Sequence, residues 1–140
     1  MRRRGGGRIL ITSSVTGPRA AMVAAAHCAA AKAGVRGLIR NVALELARNH
    51  SQWPAIKVNG IEPGFIAKPG HGALDSEEAM AKIAEDVQLG RMGEADDITF
   101  ATLYFASRET KYVTGQTIVV DGGAGLPETG WAMNRARASR

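Results

Sequence analysis

The sequence lacks the features that mark several classes of protein. It contains a single cysteine, Cys28, among 140 residues, which excludes an internal disulfide and favours a cytoplasmic location. It has no apolar run near the roughly 20 residues that a membrane-spanning helix requires, so we expect no membrane partner. Aromatic residues make up 5% of the chain and no basic stripe crosses its middle, so we expect no nucleic-acid partner.

Acidic residues are absent before Glu45, although the full chain contains 13 of them. The formal net charge of +5 comes from seven arginines near the two ends, at positions 2, 3, 4, 8, 135, 137 and 140. Without these arginines the chain has slightly fewer basic than acidic residues, so the basic charge belongs to what we interpret as solvated tails. Two alternatives stay open for the tails: a salt-sensitive attraction to nucleic acid, and an organellar targeting segment, which is also rich in arginine.

Apolar runs and helix-forming segments alternate along the chain. Residues 8–12, 55–61 and 116–121 are short, nearly continuous apolar runs, which are typical of strands buried on both faces. A helix without proline is predicted from about Ala24 to Arg48. Ser76 and Glu94 each stand before an acidic first turn and predict two further helix starts. The apolar stripe of the long helix is predicted to contain Val35, Leu38, Ile39, Val42, Leu44 and Leu46.

This alternation predicts an α/β fold with a parallel sheet of about three strands and flanking helices. We divide the chain into an Arg/Gly leader over residues 1–7, a folded unit over residues 8–126 and a tail over residues 127–140.

Four segments, in order and spacing, resemble the short-chain dehydrogenase/reductase family. They are residues 11–17 (ITSSVTG), 31–37 (AKAGVRG), 58–66 (VNGIEPGFI) and 113–123 (VTGQTIVVDGG). Residues 89–98 (LGRMGEADDI) are similar to the family's segment before its closing strand. The resemblance implies a Rossmann-like sheet and an NAD(P)-dependent oxidoreductase that acts on a small-molecule carbonyl or alcohol.

In that family a tyrosine donates a proton to the developing alkoxide, and a lysine four residues later assists it from the same helix face. A serine on the preceding strand polarises the carbonyl. The resemblance matches Ser14 and Lys32 to the serine and lysine, but Cys28 stands where the tyrosine is expected. Cys28 is interpreted as a damaged site, with a proton-donating thiol or another reactive thiol as alternatives, and His27 as a substitute acid. For Ser14 the alternative is a strand-end residue with a local backbone bond.

The resemblance also implies a nicotinamide cofactor, NAD or NADP, bound through Lys32, Pro63, Gly64 and Ile66. Lys68 stands where the family usually carries a threonine, so that cofactor contact is in doubt. The family's Gly-rich phosphate turn lies between its first strand and helix. Here three glycines at positions 5–7 come before the strand.

The resemblance therefore covers the C-terminal half of the family's domain, without the N-terminal dinucleotide-binding half. We expect the chain to be inactive on its own and to self-associate, as a homo-oligomer, through the long helix and the exposed edge of the first strand. The alternative function is a non-catalytic interaction module that dimerises with a full-length relative. The loop from Phe65 to Leu74 would select the substrate, which the sequence does not identify.

Overall fold

The computed structural model describes residue 1 and residues 5–48, 56–67 and 76–127. Within these ranges the chain forms β1 (Gly7–Thr12), α1 (Ala26–Arg48), β2 (Ile56–Pro63), α2 (Glu77–Asp86), α3 (Ala95–Ala106) and β3 (Thr117–Val120). The strands pair in parallel in the order β1-β2-β3. The predicted α/β fold with a small Rossmann-like parallel sheet is confirmed. Of the predicted leader, residue 1 and residues 5–7 are described, and Gly7 is the first residue of β1; of the predicted tail, only residue 127 is described.

The central strand, β2, carries the core of the sheet. It pairs with β1 from Gly7↔Ile56 to Thr12↔Ile61, and with β3 from Gly60↔Thr117 to Pro63↔Val120. Most of its residues are buried, as a continuous apolar strand between helices should be. Among the described strands β1 pairs with β2 alone, so its other side is an edge, as predicted.

The strand β2 continues two residues beyond the predicted end at Ile61. The backbone N–H of Val15 donates to the carbonyl of Pro63 at 3.0 Å, and that of Gly64 donates to Val120 at 2.9 Å. Hydrogen bonds to the segment after β1 on one side and to β3 on the other therefore keep β2 extended up to the Pro63-Gly64 turn.

The helix α1 packs on β2 through a narrower face than the sequence predicts. Ile39 and Ala43 are buried with Val58 of β2, and Val35, Val42 and Leu46 pack partly against them. Leu38 and Leu44, which belong to the predicted apolar stripe, are 52% and 58% exposed and do not pack into this core. The helix also begins at Ala26 and not at Ala24, because Ala24 has a left-handed φ of 62° that a helix cannot contain.

Both shorter helices have the predicted N-terminal caps. The Ser76 hydroxyl accepts a hydrogen bond from the Ala79 N–H at 3.2 Å and caps α2. Glu94 and Asp97 form a reciprocal capping box at the start of α3. The helix α3 contacts all three strands, with Phe105 buried. Every described helix is too short or too polar to cross a bilayer.

Candidate active site

A cleft of about 610 Å³ opens at the carboxyl ends of β1 and β2. Its walls come from the segment after β1, the first turns of α1, the segment after β2, and parts of α2 and α3. Open parallel sheets bind ligands at this edge, because the loops that leave the strands converge there. The cleft brings together all of the residues that the sequence assigns to catalysis and cofactor binding: Ser14, Cys28, Lys32, Pro63, Gly64 and Ile66.

The polar end of the cleft is held by hydrogen bonds between β1 and α1. The buried Ser13 hydroxyl donates to the Lys32 carbonyl at 2.9 Å, and the Lys32 Nζ donates to the Thr12 carbonyl at 3.2 Å. The ammonium group is therefore fixed at the end of β1. The Ser14 Oγ accepts a hydrogen bond from the Thr16 N–H at 3.1 Å, which is the local backbone bond left open by the sequence. A hydroxyl that accepts one bond still has its own proton to donate.

Cys28 and Lys32 lie one helical turn apart and both line the cleft, as the spacing of four residues requires. Cys28 is half-buried. His27 is exposed and does not line the cleft, although the adjacent Cys28 does. Apart from Lys32, Cys28 is the only titratable residue among the described residues that line the cleft. Its thiol is much shorter than a phenol.

The Pro63-Gly64 turn is packed tightly against the end of β3. A Cβ atom added to Gly64 would lie 2.7 Å from the Cβ of Asp121, so only glycine fits here. The next residues pair with the segment before α3: Gly93 N–H donates to the Phe65 carbonyl at 2.9 Å, and Ala67 N–H donates to the Gly93 carbonyl at 2.8 Å. Lys68, which departs from the family pattern, lies outside the described residues.

Much of the remaining lining of the cleft is apolar. Flexible and branched aliphatic side chains line it: Met22, Met80, Ile83, Met92 and Ile98. Lys32 is the one charged residue among the described residues that line the cleft. The cleft therefore suits a ligand with a polar head and an apolar body, because hydroxyl groups buried against these apolar side chains would find few hydrogen-bond partners.

The wall before α3 is braced by an ion pair that the sequence analysis did not anticipate. The Arg91 guanidinium bonds both carboxylate oxygens of Asp97, at 2.8 and 3.1 Å. These bonds, together with one from the Glu94 backbone N–H at 2.7 Å, lower the pKa of Asp97 to about 2. The hydrogen bonds to Asp97 in turn raise the pKa of Arg91. A bidentate pair of this kind fixes the start of α3 beside the cleft.

A second group that the sequence analysis missed lies behind the cleft. Glu62, on β2, has no exposed surface, and its carboxylate pairs with the guanidinium groups of Arg19 and Arg36. The presence of Glu62 in the sequence of a buried strand was the signal that could have predicted this pairing, because a charged residue within a buried strand has to be paired.

The connection between β1 and α1 does not provide a phosphate-binding turn. Its one glycine, Gly17, has a φ of 97° and packs against α1, where an added Cβ would lie 2.3 Å from the Ala29 carbonyl oxygen. Gly5 and Gly6 precede β1. In the ranges 5–48, 56–67 and 76–127, no cluster of three or more His, Cys, Asp or Glu side chains could hold a metal ion.

Comparison with known proteins places this arrangement among oxidoreductases. A family model described as enoyl-(acyl carrier protein) reductase matches residues 1–125. The chain is 42% identical over 122 residues to a peroxisomal 2,4-dienoyl-CoA reductase of Arabidopsis thaliana, with 86% of this chain and 40% of that protein covered. It is 39% identical over 124 residues to an uncharacterized short-chain type dehydrogenase/reductase of Sinorhizobium fredii, with 88% and 47% covered.

A solved structure shares the fold. The gluconate 5-dehydrogenase of Burkholderia cenocepacia, in complex with NADP and tartrate, superposes with a TM-score of 0.78 at 31% sequence identity, and covers 89% of this chain and 47% of that one. The chain thus spans about half the length of the relatives it matches.

Proposed function

Because the chain belongs to the short-chain dehydrogenase/reductase family, we propose that residues 8–126 form the substrate-side half of an NAD(P)-dependent oxidoreductase and do not transfer hydride on their own. One observation supports both the substrate-side assignment and the lack of hydride transfer. Ser14, Cys28 and Lys32 share one cleft with the Pro63-Gly64 turn, whereas the β1–α1 connection closes on itself around Gly17. The chain therefore has a substrate cleft and no phosphate cradle between its first described strand and helix.

Within this proposal, the Ser14 hydroxyl and the Lys32 ammonium are hydrogen-bond donors at the polar end of the cleft. They would stabilise negative charge on a substrate oxygen, and Lys32 would also hold a ribose hydroxyl. The cofactor, when bound, supplies hydride. Lys32, Pro63, Gly64 and Ile66 fit its nicotinamide end, but the described residues do not fit its pyrophosphate. We therefore assign no catalytic step to this chain alone and no preference between NAD and NADP.

Cys28 is the second reason for proposing inactivity. It occupies the helix position one turn before Lys32, where the family's proton donor is expected. Its thiol ends close to the helix and does not reach the oxygen that a phenol would contact. We propose that this site is damaged for ketone reduction, with a thiol proton donor as the alternative.

The cleft favours an acyl thioester as the substrate class. The matching family model and the Arabidopsis relative are both named for reductases of acyl thioesters. A thioester carbonyl would lie near Ser14 and Lys32, with its acyl chain against the apolar lining, where methionines adapt to flexible chains. A polyol such as gluconate would leave its hydroxyl groups unpaired there.

Turnover tests the proposal directly. The purified chain is incubated with NADH or NADPH and an enoyl or 3-oxoacyl thioester, and loss of the reduced cofactor is followed by absorbance. We expect no rate above the protein-free reaction. A rate that disappears in a Lys32→Ala variant would contradict the proposed inactivity, since it would show that this cleft catalyses the reaction. Calorimetry with an acyl-CoA, with CoA alone as the control, tests the proposed substrate class separately.

Two exposed apolar faces favour the second candidate function, a non-catalytic module that associates with another copy or with a full-length relative. The helix α1 exposes Leu44 and also Leu38, which lies one turn after Gly34, and α3 exposes Phe100 and Leu103. Small residues beside leucines allow helices to approach closely. We expect the chain to sediment as a dimer or larger oligomer and a Leu38→Asp/Leu44→Asp variant to sediment as a monomer. A monomeric parent chain would contradict self-association.

A further inference from the structure

We propose that Glu62 is a positioning residue, whose buried carboxylate holds the loop after Ser14 and the helix that carries Lys32 in a fixed relation to each other. This inference rests on the proposed function, because it assigns Glu62 a role in the geometry of the same cleft. Glu62 directly precedes Pro63, the last residue of β2, which lines the cleft together with Gly64.

The carboxylate of Glu62 has a guanidinium group on each side: Arg19 hydrogen-bonds Oε2, whereas Arg36 is ion-paired with Oε1 without a hydrogen bond. It has no exposed surface, whereas the side chains of Arg19 and Arg36 are 41% and 36% exposed. The Arg19 Nε donates to Oε2, and the Arg36 Nε lies 3.4 Å from Oε1. A buried carboxylate is tolerated only with such partners. Glu62 therefore binds two arginines that belong to different segments of the chain.

The two arginines connect the loop of residues 15–20 to both neighbours. Arg19 belongs to this loop, and its pairing with Glu62 fastens the loop to β2. Arg36 belongs to α1, and its guanidinium also donates to the Pro18 carbonyl at 3.4 Å. The loop is folded on itself by a hydrogen bond from Gly17 N–H to the Ala20 carbonyl at 2.8 Å. We therefore expect the loop to move as a unit when either arginine is displaced.

The same loop and helix carry the residues of the cleft. Ser14 directly precedes the loop and bonds to Thr16 inside it. Lys32 lies one turn before Arg36 on α1. The Ser13 and Val15 N–H groups fasten the backbone around Ser14 to β2 at 2.8 and 3.0 Å, so release of the loop from Glu62 would act on the Ser14 hydroxyl through its bond to Thr16. Displacements of this kind are costly in sites that depend on orientation.

Directional pairing distinguishes this role from simple filling of space. Apolar side chains of similar volume often replace a buried ion pair without loss of stability, but they do not fix the orientation of a loop. A variant with Arg19→Met, Glu62→Leu and Arg36→Met thus separates the two roles. Glu62→Gln removes the charge at constant volume. Glu78→Gln is the matched control, because Glu78 pairs with Lys82 at 2.7 Å on the surface.

The experiment measures amide hydrogen exchange, alkylation of Cys28 by N-ethylmaleimide, and melting temperature in each full-length variant. With Glu62→Gln we expect the amides of Gly17, Arg19 and Ala20 to exchange about tenfold faster or more, and Cys28 to be alkylated faster by a similar factor. The amides of Gly64 and Gly115, which bond across the sheet, should keep their protection. The Glu78→Gln chain should match the parent in every measurement.

The triple variant should melt near the parent temperature but retain the fast exchange and fast alkylation. Parent-like exchange in the triple variant, or in Glu62→Gln, would overturn the proposal, because the pairing would then be dispensable for the position of the loop. Equal acceleration of the loop amides and of Gly64 and Gly115 in both Glu62 variants would also overturn it, since it would show a general loss of stability. These measurements need neither cofactor nor substrate, so their outcome is independent of whether the chain turns substrate over.

Discussion

Replacement of Gly17 by alanine tests the closed connection between β1 and α1. Gly17 has a φ of 97°, where an L-residue with a Cβ atom is strained by about 1–2 kcal/mol. The added Cβ would also lie 2.3 Å from the carbonyl oxygen and 2.8 Å from the Cα of Ala29, and both are backbone atoms of α1 that cannot rotate away. Overpacking of this kind costs about 1–3 kcal/mol, so we expect a total loss of about 2–5 kcal/mol.

Urea denaturation followed by circular dichroism measures this loss. For a chain of this size a urea dependence of about 2 kcal/mol per M is ordinary, so the midpoint should fall by about 1–2.5 M. Gly37→Ala is the matched control. Gly37 lies within α1, an added Cβ there meets no atom within 4 Å, and the substitution should stabilise the helix by about 0.5–1 kcal/mol. A Gly17→Ala variant as stable as the parent would refute the close packing of this loop on α1.

Three further substitutions give independent tests. Ile39→Ala should lower the free energy of unfolding by about 2–5 kcal/mol, because Ile39 has no exposed surface between α1 and β2; urea titration measures it, and a loss below about 1 kcal/mol would contradict this core. The pKa of Asp97 is about 2 in the folded chain, below its usual 3.8, so its ionised form adds stability above about pH 4 that is lost as the pH falls towards 2. Asp97→Asn should therefore flatten the fall in melting temperature across this interval, and an unchanged fall would argue against the Arg91 pairing. Cys28→Tyr should not restore turnover in the cofactor absorbance assay, since it adds no phosphate site; a measurable rate would overturn the proposed inactivity.

The fold was predictable because each strand is a short apolar run with its own boundaries. A strand buried on both faces needs such a run, and a parallel sheet needs helices between its strands. The caps at Ser76 and Glu94 were predictable for the same reason, since a helix start depends on neighbouring residues. The errors concern α1. Leu38 and Leu44 are as apolar as the core residues, and only the contact with β2 decides that the small Ala43 is buried in their place.

The candidate site was predictable where resemblance supplied the pattern and not where pairing is distant in sequence. Ser14, Lys32 and the Pro63-Gly64 turn lie together in the cleft, as their matched segments imply. The pairing of Glu62 with Arg19 joins residues 43 positions apart, so no local sequence pattern predicts it. The partner of a buried charge is fixed by the packing of a loop, a helix and a strand, which becomes visible only in three dimensions.

A thermal melt by circular dichroism with and without NADH or NADPH tests whether the described residues form a substrate cleft without a dinucleotide site. A ligand that binds only the folded state must stabilise it, by about 2.7 kcal/mol at a hundredfold excess over Kd. We expect the same midpoint with and without either dinucleotide. A cooperative melt whose midpoint rises with added dinucleotide would contradict the account, because these residues would then bind the cofactor by themselves.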